Sequence, residues 1–500
     1  MTSLTFYGGI GEIGGNKILL EDRDTRIFLD FGMSFRQSGM FFSEFLNPRN
    51  CNGLGDYFKT GLLPDIPGVY RRDYLRHMGR PEEDQAVDAV LISHAHMDHM
   101  SYIHHLRKEV ELVMSKGSHA ILKTFQDTRS GGLNDLLIMA PAFQMRPSKR
   151  GGGYTRVSKK DRYDVRPTKV FDYGNKFKVG DIEVVAYEVD HSLPGATAYL
   201  IHASEGSILY TGDFRFHGYL GEKTHEMVEE VSKEDIAAVI TEGTRVNQET
   251  GTSEVEVYTQ AKKLAESTAG LVVTTFPARD LTRLSTFYRI ACETGRKLVI
   301  DFTQAYLLEQ FSKVSDRYPQ SDDPNICLFA ARKSWGIAGR DDVPSNIDGL
   351  CYPGNIRDQD YGTWEREYLH RENTVNFLDL QNQKEYLLVI SYFQLNQLID
   401  VKPVEGSKYL RSVTEPFSDE MRLDAERVQN WLDLFKLDLY GMESEDKLHA
   451  SGHASGPELK KFLHKIKPKN VIPIHTEHPE LFHDFSHNIK LVERGETYQI

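Results

Sequence analysis

Short apolar runs recur through the first half of the chain, at residues 18–20, 27–29, 89–92, 112–114, 182–186, 197–201 and 208–210. Many are continuous rather than alternating, the pattern of strands buried on both faces, and segments of helical spacing lie between them. The pattern predicts an α/β chain. Farther on, 271–276 reads as a strand and Asp280 as a helix N-cap. Leu281, Leu284, Phe287, Tyr288 and Ala291 then share one helical face up to Gly295, and 298–300 opens another strand. Such a succession is a βαβ unit of a parallel sheet. Asp and Pro crowd the stretch from 315 to 353, which predicts loops, and 385–390 resumes a buried strand.

A chain of 500 residues that is 40% hydrophobic exceeds the range in which one core keeps growing, so two or three domains are expected. No apolar stretch reaches the ~18 residues of a membrane span, and the first residues lack a basic segment followed by an apolar one. A cytoplasmic protein with no membrane partner is expected. Cys51, Cys292, Cys327 and Cys351 are scattered without a CxxC pair, which excludes a disulfide framework or zinc ribbon and fits a reducing setting. A net charge of −13 argues against indiscriminate nucleic-acid binding. Locally the balance reverses. Between 146 and 169 stand Arg146, Lys149, Arg150, Arg156, Lys159, Lys160, Arg162, Arg166 and Lys169 against Asp161 and Asp164, with Gly151 to Gly153, Tyr154 and Tyr163 interleaved. A flexible loop of this kind could track a phosphate backbone or serve only as a solvated surface.

The densest chemistry follows residues 89–92. His94-Ala-His96-Met-Asp98-His99 puts imidazoles and a carboxylate at the end of a predicted strand, donors that suit zinc or manganese. A binuclear site needs about seven or eight ligands, so other segments must contribute. Asp190-His191, Gly212-Asp213 and Ile474-His475 each place a candidate just past an apolar run, where ligand sites of α/β folds collect. Singly, each reads as a packed or capping residue. Together they point to a metal-dependent hydrolase.

Asp30-Phe-Gly32, His94-x-His96-x-Asp98-His99, His191 and Asp213 resemble, in order and spacing, the motif series of the metallo-β-lactamase fold. Glu242 in Thr241-Glu-Gly-Thr244, His453 in His449-Ala-Ser-Gly-His-Ala-Ser455 and His475 in Pro473-Ile-His-Thr-Glu477 look like the continuation found in the β-CASP branch, whose members process nucleic acids. The opening from Gly8 to Asn16, with Asp190-His-Ser-Leu-Pro194, looks most like the ribonuclease J family.

The resemblance implies an α/β architecture: a four-layered αββα metallo-β-lactamase domain over 1–245 and 410–500, with an inserted β-CASP α/β domain over 246–409. It implies two divalent ions, zinc or alternatively manganese, one on His94, His96 and His191 and the other on Asp98, His99 and His475. Asp213 would bridge them, and Asp30 would orient a ligand imidazole from behind. The ions would generate a hydroxide for in-line attack on phosphorus, a step to which Asp98 contributes as ligand. His453, polarised by Glu242, would protonate the leaving ribose oxygen. His449, Ser451, Ser455, Thr275 and Arg279 are candidates for holding a substrate phosphate, the last two beside a helix N-terminus.

The implied activity is a metal-dependent ribonuclease in RNA processing or decay, 5′ to 3′ exonucleolytic with endonucleolytic action allowed, on single-stranded RNA. A DNA exonuclease and a small-molecule ester, thioester or lactone hydrolase are the alternatives. Glu242, His453 and the insertion disfavour the small substrate, which needs neither a nucleotide groove nor this acid pair. Three departures stand out. Ser391-Tyr-Phe-Gln-Leu-Asn396 replaces the family's Thr-Gly-x-Gln-Gly-Glu, and 25 residues follow His475, implying a short form without the C-terminal domain and leaving a homodimer open. The long segment 33–88, with Phe41, Phe42, Phe45, Tyr57, Phe58 and Tyr70, is expected to be a lid or interface rather than core.

Overall fold

The computed structural model describes residues 1–43, 45–129, 133, 135–149, 151–249, 251–337, 346–347, 350–351, 356–416 and 419–500. Arg150 and the Cys351 side chain lie outside the described residues, as do 338–345, 348–349 and 352–353 of the stretch expected to be loop. The chain forms two compact units, Met1–Gly251 with Gly452–Ile500, and Thr252–Ser451.

In the first unit two sheets face each other. One runs in the order Thr168–Phe171, Glu111–Ser115, Ala89–Leu91, Thr25–Phe31, Lys17–Asp22, Thr2–Gly8 and Thr497–Gln499. The other runs Lys176–Val179, Ile182–Glu188, Thr197–Ala203, Gly206–Tyr210, Ile236–Glu242 and Val471–Ile474. Successive side chains of a strand point to opposite faces, so a continuous apolar run must be covered twice. Val184, Tyr199, Ile201 and Ile240 pack toward Leu4, Ile18, Leu29 and Leu91 of the opposing sheet. Their neighbours Val185, Leu200, Leu209 and Val239 pack instead on Met227 and Val231 of helix Gly221–Val231 and on Leu459, Phe462 and Leu463 of helix Gly456–Ile466. Helix Lys116–Thr128 buries Ile121, Leu122 and Phe125 and lies along strands Glu111–Ser115 and Thr168–Phe171. This is the expected four-layered αββα arrangement.

Two expectations change within this unit. Tyr57, Phe58 and Tyr70 are not lid residues, since Tyr57 packs edge-on to Tyr102 and Phe58 to the buried Tyr70; Phe45, at 93% exposure, does face solvent. The basic loop is ordered in part as a hairpin of Met145–Pro147 and Tyr154–Arg156. Arg166 is buried, and Arg146 pairs with Asp161 at 2.9 Å.

The second unit is a parallel sheet in the order Thr374–Val375, Ile326–Phe329, Lys297–Ile300, Tyr386–Val389, Val272–Thr275, Lys408–Arg411 and Asp438–Tyr440. The predicted βαβ unit is present, with Asp280 capping helix Leu281–Glu293 by accepting from Arg283 N at 2.8 Å. Its two strands flank Tyr386–Val389 rather than pairing directly. The expected boundary at 409 falls inside strand Lys408–Arg411, which pairs with Val272–Thr275 on one side and Asp438–Tyr440 on the other. Residues up to Ser451 therefore fold with this unit. Likewise Ile326–Phe329, flanked by the Asp and Pro residues that suggested loop, is a fully buried strand. Among the described residues no helix is long and apolar enough to cross a membrane.

Candidate metal centre

Strand Ala89–Leu91 ends in Ile92, Ser93 and His94, and a four-residue helix, Met97–Met100, starts immediately after His96. The strand-to-helix turn aims His94, His96, Asp98 and His99 at one point. Gly14 lies against them at φ +81, and a Cβ there would come within 2.5 Å of Asp98 Oδ2. A glycine is needed for both the conformation and the space. His191, Asp213 and His475 arrive from the ends of three strands of the second sheet, as their positions past apolar runs suggested.

Asp213 Oδ2 is the common point. It lies 3.6 Å from His94 Nε2, 3.3 Å from His99 Nε2, 4.0 Å from His191 Nε2 and 3.6 Å from His475 Nε2. His96 Nδ1 stands 2.9 Å from His94 Nε2 and 3.1 Å from His191 Nε2. Asp98 Oδ2 is 3.2 Å from His475 Nε2 and 3.8 Å from His99 Nε2. Among the described residues three donor groups result: His94, His96, His191 with Asp213; Asp98, His99 with His475; and Asp213, Glu242, His453 with His475, the last sharing one residue with each of the others.

A layer of partners sets which ring nitrogen faces inward. Asp30, at φ 57, accepts from Ser93 N at 2.7 Å, Ser93 Oγ at 2.6 Å, Tyr210 OH at 2.5 Å and His99 Nδ1 at 2.7 Å. An ionised carboxylate only accepts, so His99 gives its Nδ1 proton outward and turns the Nε2 lone pair inward. Ser93 spends its proton on Asp30 and can take the His94 Nδ1 proton at 3.0 Å. His191 Nδ1 donates to the Gly452 carbonyl at 2.5 Å, and His475 Nδ1 meets Thr244 Oγ1 at 2.8 Å. Sequence reasoning found Asp30 but missed Ser93, Tyr210 and Thr244. The first and last are adjacent to or within motifs already singled out; Tyr210 carried no signal beyond its place in a strand.

The donor set fits a divalent metal. One imidazole nitrogen, His96 Nδ1, sits within 3.1 Å of two others, and Asp213 Oδ1 is buried without a hydrogen-bond partner among the described residues. Such a concentration of buried acceptors is costly unless a cation satisfies it. Burial depresses the His96 imidazolium to about 4 and the His94 and His191 imidazolium forms well below the ordinary range. These three are neutral ligands at physiological pH. Burial works against His99 too, yet Asp213, Asp98 and Asp30 together hold its proton well above the usual range.

Beside this centre, His453 Nδ1 donates to Glu242 Oε2 at 3.0 Å and lies 3.8 Å from Asp213 Oδ2. Glu242 is fully buried at the end of its strand and accepts from Phe214 N at 3.1 Å and Thr244 N at 3.2 Å. Against the opposing effect of burial, Glu242 and then Asp213 raise the His453 imidazolium to about 9.

The phosphate candidates divide. Ser455 is buried and caps helix Gly456–Ile466, with its hydroxyl donating to Glu458 Oε2 at 2.8 Å, so the expected phosphate contact is not what this side chain makes. Thr275, Arg279, His449 and Ser451 belong to the second unit. Burial lowers Arg279 to about 10, with Asp301 opposing.

A family model described as a beta-lactamase superfamily domain matches residues 64–275, and one described as a Zn-dependent metallo-hydrolase RNA specificity domain matches residues 442–483. The first range holds His94, His96, Asp98, His99, His191, Asp213 and Glu242; the second holds His453 and His475. The chain is 22% identical to ribonuclease J of Mycoplasma genitalium over 95% of this chain and 68% of that protein. It is 22% identical to ribonuclease J of Pyrococcus abyssi over 100% of this chain and 94% of that protein. A solved protein of unknown function from Enterococcus faecalis V583 shares the fold, with a TM-score of 0.69, 23% identity and 99% of each chain covered.

Proposed function

We propose that the chain is a ribonuclease J-like β-CASP protein of the metallo-β-lactamase fold and, as such, a metal-dependent ribonuclease acting on single-stranded RNA, chiefly as a 5′ to 3′ exonuclease. The observation that carries the reading is the His453–Glu242 pair 3.8 Å from the carboxylate on which the metal donors converge. A hydrolase of esters needs the metal donors alone; a phosphodiesterase gains from a proton donor for an alkoxide leaving group.

In this proposal His94, His96 and His191 hold one divalent ion, zinc or manganese. Asp98, His99 and His475 would hold a second, with Asp213 available to the donors of either group. The ions supply Lewis acidity and an activated water when bound. The protein's own residues do the rest. Asp30, Ser93 and Thr244 hold the Nδ1 atoms of His99, His94 and His475 and so aim their Nε2 atoms inward, while burial excludes bulk water from the donors. His453 delivers a proton to the departing ribose oxygen, and Glu242, holding Nδ1, leaves Nε2 as the proton-bearing atom. Thr275, Arg279, His449 and Ser451 are the candidates for a substrate phosphate on the second unit.

The test is a comparison of substrates. Chelator-stripped protein, reloaded with Mn²⁺ or Zn²⁺, is given end-labelled RNA bearing 5′-monophosphate, 5′-triphosphate or 5′-hydroxyl, matched DNA and a generic ester, with Asp98→Ala alongside. Stepwise mononucleotide release from 5′-monophosphate RNA is expected. Metal-dependent ester turnover with inert nucleic acids would overturn the assignment, and equal attack on DNA would remove its RNA specificity.

A further inference from the structure

Away from the metal donors, the first unit contains a cavity of about 310 Å³ lined by Arg71, Arg72, Arg76, Arg107, Lys108 and Arg162, with Asp73, Glu109 and Asp164 as its carboxylates. Six cations against three anions is a local excess of positive charge in a chain whose net charge is −13. Its volume is at the lower end of small-ligand sites, about 300–1,000 Å³.

The cations are not equivalent. Arg71 is held by Asp73 at 2.7 Å and Asp135 at 3.1 Å, Arg72 by Glu82 at 2.9 Å, Arg107 by Glu109 at 3.1 Å and Lys108 by Asp164 at 3.0 Å. Arg76 and Arg162 have no ion pair among the described residues, so their guanidinium groups are open to an external anion. Arg71 and Arg107 are 4% and 2% exposed and form a rigid base. Next to this base stands Arg166, 2% exposed, whose Nη2 donates to Leu106 O at 3.0 Å and contacts Sδ of the cavity residue Met139 at 2.9 Å. Its Nε and Nη1 are buried without a hydrogen bond among the described residues. An uncompensated buried cation is costly, and an anion bound in the cavity offsets part of that cost.

The remaining wall is formed by the apolar Met139, Ala140 and Pro141 with the amide of Gln144. Planar guanidinium forks match phosphate oxygens bidentately, and an apolar wall beside an amide accepts the flat, hydrogen-bonding body of a base. We propose that this cavity binds a free mononucleotide, with the phosphate on Arg76 and Arg162 and the base against Met139 to Pro141. The site is separate from the hydrolytic one and does not depend on the activity assigned to it.

Equilibrium binding to the full-length protein in EDTA, which removes metal-held phosphate from the readout, tests this. AMP should bind with one site per chain, adenosine and inorganic phosphate at least tenfold more weakly. Arg76→Ala and Arg162→Ala, both on the surface and outside any ion pair among the described residues, should each weaken AMP at least tenfold, while Asp98→Ala should bind AMP as the parent does. Phosphate binding as tight as AMP would overturn the nucleotide assignment. Unchanged AMP affinity in both arginine variants, or affinity only for an RNA oligomer, would overturn the site.

Discussion

Each unit buries charged groups, and they are arranged in opposite ways. In the second unit Arg283, 1% exposed, donates from Nε and Nη2 to Glu254 at 3.1 and 3.0 Å and from Nη1 to the Ser412 and Leu448 carbonyls at 3.2 and 3.3 Å. Donors meet acceptors, and the network ties two helices to the segments after strand Lys408–Arg411. In the first unit His94, His96, His191 and Asp213 present acceptors to acceptors. A network complete within the chain serves the fold; one that needs a cation from outside serves chemistry.

The sharpest way to break this contrast is Asp213→Ala. RNA cleavage should fall about a thousandfold or more, because Lewis acidity at the reacting centre is worth several kcal/mol. Bound metal, measured by elemental analysis, should fall with it, while the circular dichroism of the metal-free protein stays that of the parent. Glu254→Ala should do the reverse. Removing the carboxylate that faces the buried Arg283 guanidinium should cost about 3–5 kcal/mol in urea denaturation with metal content unchanged. If Glu254→Ala also emptied the metal site, the division between the networks would fail.

His453→Ala sharpens it further, separating proton donation from metal holding. Its kcat should drop about 10²–10⁴-fold with metal retained; loss of metal would make His453 a ligand, which its grouping with Asp213, Glu242 and His475 within 4.8 Å permits geometrically. Thr244→Val, which removes the partner of His475 Nδ1, should weaken metal affinity about 10–100-fold. The smallest effect is in pH. In metal-free protein the His453 proton is held to about 9, above its unfolded value, so its stabilising effect is complete below about pH 6.5 and lost as pH rises through 9. The melting temperature of chelated protein should fall by about 2–4 °C across that window, and the His453→Ala profile should be flatter.

The parts of this picture legible in sequence were those written as local runs. Strands of the two central sheets announce themselves because burial on both faces leaves no polar alternation, and His94 to His99 are close in sequence because one turn delivers them. What was not legible depends on pairing. Strand Lys408–Arg411 joins the second unit through its neighbours Val272–Thr275 and Asp438–Tyr440, a register no local pattern encodes. Ser455 read as a phosphate ligand because a serine in a Gly-rich motif is chemically suited to it, yet Glu458, three residues on, claims it for a capping box. Tyr57 and Tyr70 looked like surface aromatics until Tyr102 and Phe58 supplied their packing partners.

The most direct measurement is the rate of 5′-monophosphate RNA cleavage against metal occupancy in chelator-stripped protein. Cleavage should be absent without metal, rise with occupancy and level off at two ions per chain. Cleavage that persists in fully stripped protein, or RNA left intact at full occupancy, would contradict the account.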